Sequence, residues 1–198
     1  MESVYIAVGT EMLELIEAIR NPFFDQLFMA LTLLGEAPFI LLAAVIVSLS
    51  YKEARWVGAG MVLVFILASV LNAEIKEMLH VARPDPGEVD PLTIEEGTST
   101  PSAHTMIATS VWLFLAFMLP HGWWRGVLFA VPIIVGFSRL YIGVHYPGDV
   151  VLGMVLGAAI AVAIHSLLLP RKQGALTSPA YSMAGYAVIG FVIYDLLH

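Results

Sequence analysis

The sequence has no cysteine among its 198 residues. Disulfide staples and thiolate metal centres are therefore excluded, and nothing in the chain reports on redox compartment. Charge is scarce: 13% of residues are Asp, Glu, Lys or Arg, against roughly a quarter in soluble domains. Basic charge is scarcer still, with 9 Lys and Arg against 16 Asp and Glu and a net charge of −7. That balance argues against nucleic acid as a partner, because nucleic acid needs a basic surface. The first twenty residues do not read as a signal peptide, since Glu2, Glu11, Glu14 and Glu17 replace the basic start and break any apolar core. There is no internal repeat and no low-complexity tract.

What fills the chain instead is apolar. Hydrophobic residues make up 59% and the mean hydropathy is +0.86. No soluble core of this size needs so much apolar surface, so residues 1–198 read as one membrane-embedded domain. Val8, Met12, Leu15, Ile16 and Ile19 share one helical face and Glu11, Glu14 and Glu17 the other, which predicts an amphipathic helix over 1–20. It either lies at the interface or packs on the bundle rim. Apolar segments follow at 22–35, 39–51, 56–79, 102–119, 123–140 and 147–169, with Gly35 to Pro38 as a tight turn and Pro132 as a kink. A last apolar helix is expected at 180–197. The fold class is all-α: a polytopic transmembrane bundle of about six core spans plus the two terminal helices. Gly153 and Gly157, in Gly-x-x-x-Gly spacing, favour close helix packing over dimerisation.

The polar loop over 81–101 carries Pro84, Pro86 and Pro91 and the acids Asp85, Glu88, Asp90, Glu95 and Glu96. A solvated surface loop is favoured there over a metal site. Alternating the spans puts Arg20, Lys52, Arg55, Arg125, Arg171 and Lys172 on one side. The other side holds Lys76, Arg83 and Arg139 beside the acidic loop. The positive-inside rule then turns this second side outward, away from the cytoplasm.

Three stretches on that side concentrate the chemistry. They are Lys76 to Pro84, Pro101 to His104, and Ser138 to Asp149. Lys76, Arg83 and Arg139 stand at the edges of apolar runs, where charge is expensive without a partner or a ligand. Lys76 and Arg83 are two helical turns apart and share a face if the helix continues. The small-residue turn at Ser102 and Ala103 can open a helix, whose N-terminal amides suit a phosphate. His145 and Asp149 are one turn apart, so the carboxylate can hold one imidazole nitrogen and sharpen the other. Of the remaining histidines, His80 can border the phosphate pocket, while His121, His165 and His198 belong to none of these sequence patterns. From the residues alone, either His104 or His145 could be the nucleophile.

The three stretches together, Lys-x6-Arg-Pro, Pro-Ser-Ala-His and Ser-Arg-x5-His-x3-Asp, resemble the type-2 phosphatidic acid phosphatase (PAP2) superfamily, in its integral-membrane lipid phosphatase branch. The one departure is Ala103, where the family usually has glycine. The resemblance implies that His145 attacks phosphorus and forms a phosphohistidine, with Asp149 orienting it. It implies that His104 protonates the departing lipid oxygen. Lys76, Arg83, Ser102, Ala103 and Arg139 would bind phosphate, with no cofactor and no metal, fixed cations taking the place of Mg²⁺. The expected partners are a lipid phosphate and the bilayer; no motif encodes which lipid or the oligomeric state. A phosphotransferase using the same histidine is the runner-up. A transporter fits less well, because the spans are almost bare of polar residues at their centres, and a haloperoxidase fits least.

Overall fold

A computed structural model describes residues 2–50, 54–120 and 122–168, with side chains from Tyr5 onward. The expected helix at 180–197 lies outside the described residues, as do Lys52, His121, Arg171, Lys172 and His198. Among the described residues there are seven α-helices and no strand: α1 (Glu2–Glu17), α2 (Pro22–Thr32), α3 (Ala37–Ser50), α4 (Arg55–Leu79), α5 (Ala103–Met118), α6 (Trp123–Ile142) and α7 (Pro147–Leu168). Helices α4, α6 and α7 are long and apolar enough to cross a membrane, and α5 is a shorter apolar helix. Leu42, Leu49, Val70, Ile133, Val155 and Leu167 are exposed. Apolar side chains turned outward on helix after helix need lipid around them. The chain is an integral membrane protein.

The start of α2 follows from Asn21 and Pro22. Asn21 Oδ1 accepts from the amides of Phe23 and Phe24, each at 3.2 Å, and Pro22 needs no amide partner at the first helical position. The tight turn expected at Gly35 to Pro38 is absent. A 3₁₀ turn over Leu33–Gly35 leads into α3 with a bend of 58°, so 22–50 is one broken segment. Gly35 permits this, because a Cβ there would stand 2.7 Å from the His104 carbonyl oxygen. Arg20 therefore starts at the motif end of the bundle, where its guanidinium donates to the carbonyls of Tyr141 and Asp90. Its expected place among the far-side cations is corrected by these contacts.

Two cores form. The larger, around Ile40, Met61, Phe65, Val111 and Phe114, joins α3, α4 and α5. The smaller, of Leu13, Val89 and Tyr146, docks α1 onto the 81–101 loop and the turn before α7. In α1, Leu13 is buried while Val8, Met12 and Leu15 are exposed, as is Ile19 just beyond the helix. The helix thus packs on the bundle and offers its apolar stripe outward. Between α5 and α7, a Cβ on Gly153 would lie 2.9 Å from the Ser102 carbonyl oxygen, and one on Gly157 would lie 2.5 Å from that of Met106. The paired glycines bring α7 against the first turns of α5, as their spacing predicts.

Candidate active site

Three helix ends meet at one place. Helix α4 ends at Leu79, and His80 caps it in the left-handed conformation at φ +50°. The helix ends at the expected place and does not continue to Arg83, so Lys76 and Arg83 share no helical face; the loop carries Arg83 back over the site instead. His80 points away, its side chain 69% exposed. Helix α5 opens at Ala103 after Ser102, so the first amides of the helix have no acceptor within it. Ala103 is helical, and among the described residues His80 alone combines a side chain with positive φ. The methyl in place of glycine is therefore conformationally free of strain. Helix α6 stops at Gly143, φ +86°, whose position in the left-handed region turns the chain toward His145.

Both ring nitrogens of His145 have polar partners. The residue is 1% exposed. Arg83 Nη1 lies 3.3 Å from Nε2, and a guanidinium can only donate, so Nε2 carries no proton and its lone pair faces Arg83. On the other edge Nδ1 lies 3.2 Å from Ser99 Oγ and 3.4 Å from Asp149 Oδ2. The Ser99 hydroxyl spends its hydrogen on Asp149 Oδ2, at 2.5 Å. Ser99 therefore accepts from Nδ1, and the proton sits on Nδ1. Burial pushes the imidazole down to about 4; the Asp149 hydrogen bond opposes this, and Arg139 and Arg83 add to it. His145 is thus neutral at ordinary pH, with its basic nitrogen toward the arginines.

Asp149, fully buried, is held from both sides. Tyr5 of α1 donates to Oδ1 at 2.6 Å and Thr100 donates to the same oxygen, while the Tyr146 amide reaches Oδ2 at 2.8 Å. Burial and the neighbouring Asp149 carboxylate raise the Tyr5 hydroxyl, so it stays protonated as a donor.

The cations converge on a residue absent from the expected site. Glu95 Oε2 is 3.0 Å from Arg83 Nη1, and Oε1 pairs with Arg139 Nη2. Burial raises the Glu95 carboxyl, but Arg139 and Arg83 outweigh it and hold it below the usual range. Arg139 also donates to Thr32 at 2.9 Å, and its Nε is buried with no partner. Lys76 Nζ donates to the Thr98 carbonyl, and Arg83 Nε to that of Glu96 at 3.3 Å. Ser102, fully buried, donates its amide to the Asp149 carbonyl at 3.1 Å. His104 Nε2 lies 3.7 Å from Glu36 at the α2–α3 break, and the charges of Arg139, Glu95 and Arg83 act on it.

The structure thus brings together Lys76, Arg83, Ser102, Ala103, His104, Arg139, His145 and Asp149. Sequence reasoning missed Tyr5, Glu36, Glu95, Ser99 and Thr100. The loop is exposed at Asp85, Glu88, Asp90 and Glu96, as expected of a solvated surface, but Val89, Ser99 and Thr100 are buried within it. One signal was available, since three cations beside a bilayer with a single carboxylate leave charge unbalanced, and the acidic loop is the nearest source. Among the described residues no three His, Asp or Glu side chains are grouped to hold a metal ion. The arrangement offers a neutral imidazole nucleophile, a second histidine, and a cationic pocket at a helix N-terminus.

Comparison with known proteins gives the same family. A model of the PAP2 superfamily matches residues 53–173. Phosphatidylglycerophosphatase B of Bacillus subtilis is 33% identical over 150 residues, covering 70% of this chain and 72% of that protein. Undecaprenyl-diphosphatase of Sulfolobus acidocaldarius is 34% identical over 118 residues, 57% of this chain and 56% of its own length. The crystal structure of a transmembrane PAP2-type phosphatidylglycerolphosphate phosphatase from Bacillus subtilis superposes with a TM-score of 0.74 at 27% identity, over 86% of this chain and 88% of that one. With the motif residues gathered in one pocket of a helical membrane bundle, the chain belongs to the PAP2 superfamily.

Proposed function

We propose that the protein hydrolyses the terminal phosphate of a lipid monophosphate or diphosphate, with His145 as nucleophile. The observation that carries this is the environment of His145. Its Nδ1 proton is held by Ser99 and Asp149, and its Nε2 lone pair faces Arg83 beside Arg139. In the first step Nε2 attacks phosphorus, the bond from phosphorus to the lipid oxygen breaks, and His104 gives that oxygen a proton. In the second, water attacks the phosphohistidine, the N–P bond breaks, and the water's proton passes to His104. Arg83, Arg139, Lys76 and the α5 amides stabilise the charge spread over the phosphoryl oxygens. The two relatives named for phosphatidylglycerophosphate and undecaprenyl diphosphate bracket the substrate class.

The described residues read best as five crossings: the α2–α3 pair, α4, α5, α6 and α7. Arg55 and Arg125 begin α4 and α6, at the end opposite Lys76 and Arg139. Counting Lys52, Arg171 and Lys172 from the sequence on that same side, its cations outnumber Arg20, and the positive-inside rule turns the site to the extracytoplasmic leaflet. Phosphate release from purified protein presented with polyprenyl and glycerol lipid phosphates tests the activity. His145→Ala should abolish it, and unchanged turnover in that variant would refute the assignment.

A further inference from the structure

Glu95, Glu96, Gly97, Thr98, Ser99 and Thr100 form a strap through the site. Its second half supports the nucleophile, through Ser99 and Thr100 on Asp149. Its first half does something different: it takes up the cations. The two oxygens of Glu95 sit on Arg83 and Arg139, one oxygen to each guanidinium. That is how two oxygens of a phosphate would bind the same pair.

We infer that Glu95 is an internal occupant of the phosphate subsite, which a ligand must displace to enter and which by returning helps expel inorganic phosphate. This rests on the reading of Arg83 and Arg139 as phosphate ligands. Three observations say the occupancy is displaceable. Gly97, at φ +78°, separates the halves of the strap, and a Cβ built there meets nothing within 4 Å, so the hinge has open space. Ile94, preceding Glu95, is 83% exposed, so packing does not pin the carboxylate from that side. A cleft of about 390 Å³, lined by Arg83, Pro84, Asp85, Ile94 and Glu95, gives the displaced side chain somewhere to go.

The occupant is also incomplete. A carboxylate has two oxygens, and Arg139 Nε is left buried with no acceptor. A terminal phosphate brings three, so it can take both arginines and still offer one more. The exchange therefore favours phosphate, but by less than if the pocket stood empty. After hydrolysis the same competition acts against inorganic phosphate, whose release frees the site for the next lipid.

The test uses the full chain in detergent micelles with inorganic phosphate as competitive inhibitor. Glu95→Gln keeps the shape and removes the charge. Its inhibition constant for phosphate should fall about tenfold, the worth of one charge-assisted hydrogen bond. KM for the lipid should fall with it, while kcat should not rise, since product leaves more slowly. Glu95→Ala should tighten phosphate at least as much. Glu95→Asp, with its shorter reach, should fall between wild type and Gln and covers the case of a poorly folding neutral variant. An unchanged or raised inhibition constant in a folded Gln, Ala or Asp variant would overturn the inference and leave Glu95 a structural clamp. Arg139→Leu separates the two readings. If it abolishes phosphate inhibition while the Glu95 variants match wild type, only the occupancy fails. If phosphate inhibits Arg139→Leu as it does wild type, the subsite and the occupancy fall together.

Discussion

At the residue scale the account depends on where one proton sits. Arg83 on Nε2 and Ser99 with Asp149 on Nδ1 fix the tautomer of His145, and burial keeps it neutral down to about pH 4. The sign of the pH dependence follows. Because the folded value lies below the ordinary one, the nucleophile is present above pH 4 and is lost as pH falls through it. The acid limb of kcat/KM should therefore lie near 4 in wild type. Asp149→Asn removes a group that holds the value up, so the limb should move lower while kcat drops roughly 10³-fold through loss of the oriented tautomer. His104→Ala should lower kcat about 10²- to 10⁴-fold on lipid monophosphates. The loss should be smaller on diphosphates, whose leaving group departs without a proton. The motif residues were legible in the sequence because their chemistry demands fixed types at fixed spacing. Glu95, Ser99 and Thr100 were not, because a loop's path over a site is set by tertiary contacts such as the Ser99 amide to the Val81 carbonyl at 2.8 Å.

At the scale of elements, the glycines of α7 and the tyrosine of α1 tie packing to chemistry. Gly153 faces the Ser102 carbonyl and Gly157 that of Met106. Gly157→Val should force α5 and α7 apart and destabilise the fold by about 1–3 kcal/mol in detergent unfolding. Gly153→Ala should disturb activity more than stability, since what it displaces is the start of α5 that carries Ser102 and His104. Tyr5→Phe removes one of the four donors that hold Asp149 besides His145. It should lower kcat/KM roughly tenfold, the worth of one hydrogen bond to a charged group. Gly-x-x-x-Gly and the amphipathic α1 stripe were visible as patterns; that α1 delivers Tyr5 to the nucleophile's partner was not, because a partner 144 positions away leaves no local periodicity. The α2–α3 break is not legible as a bend for a related reason. Gly35, Glu36 and Pro38 signal a turn, but whether the chain reverses or merely bends is decided by what packs against it, and here that is His104.

At the scale of the molecule, the bundle sets a charged pocket at one end of an apolar body, with Arg55 and Arg125 at the other. The proposed sidedness rests on that polarity, and the absence of native cysteine makes it simple to measure. A cysteine placed at Glu88 should react with a membrane-impermeant maleimide in intact cells, and one at Gln173 only after lysis. The reverse pattern would put hydrolysis on the cytoplasmic face. Apolar periodicity revealed the bundle because lipid selects for it along every helix, while the number of crossings depended on the single bend at Glu36. The central claim is that phosphoryl passes through His145. Its most direct measurement is transfer of radiolabel from the terminal phosphate of a lipid diphosphate to the full-length His104→Ala protein, quenched without acid and mapped by peptide mass spectrometry. The account predicts an acid-labile, base-stable label on His145, absent from the His104→Ala/His145→Ala double variant. Label on any other residue, or none while His104→Ala still turns over, would contradict it.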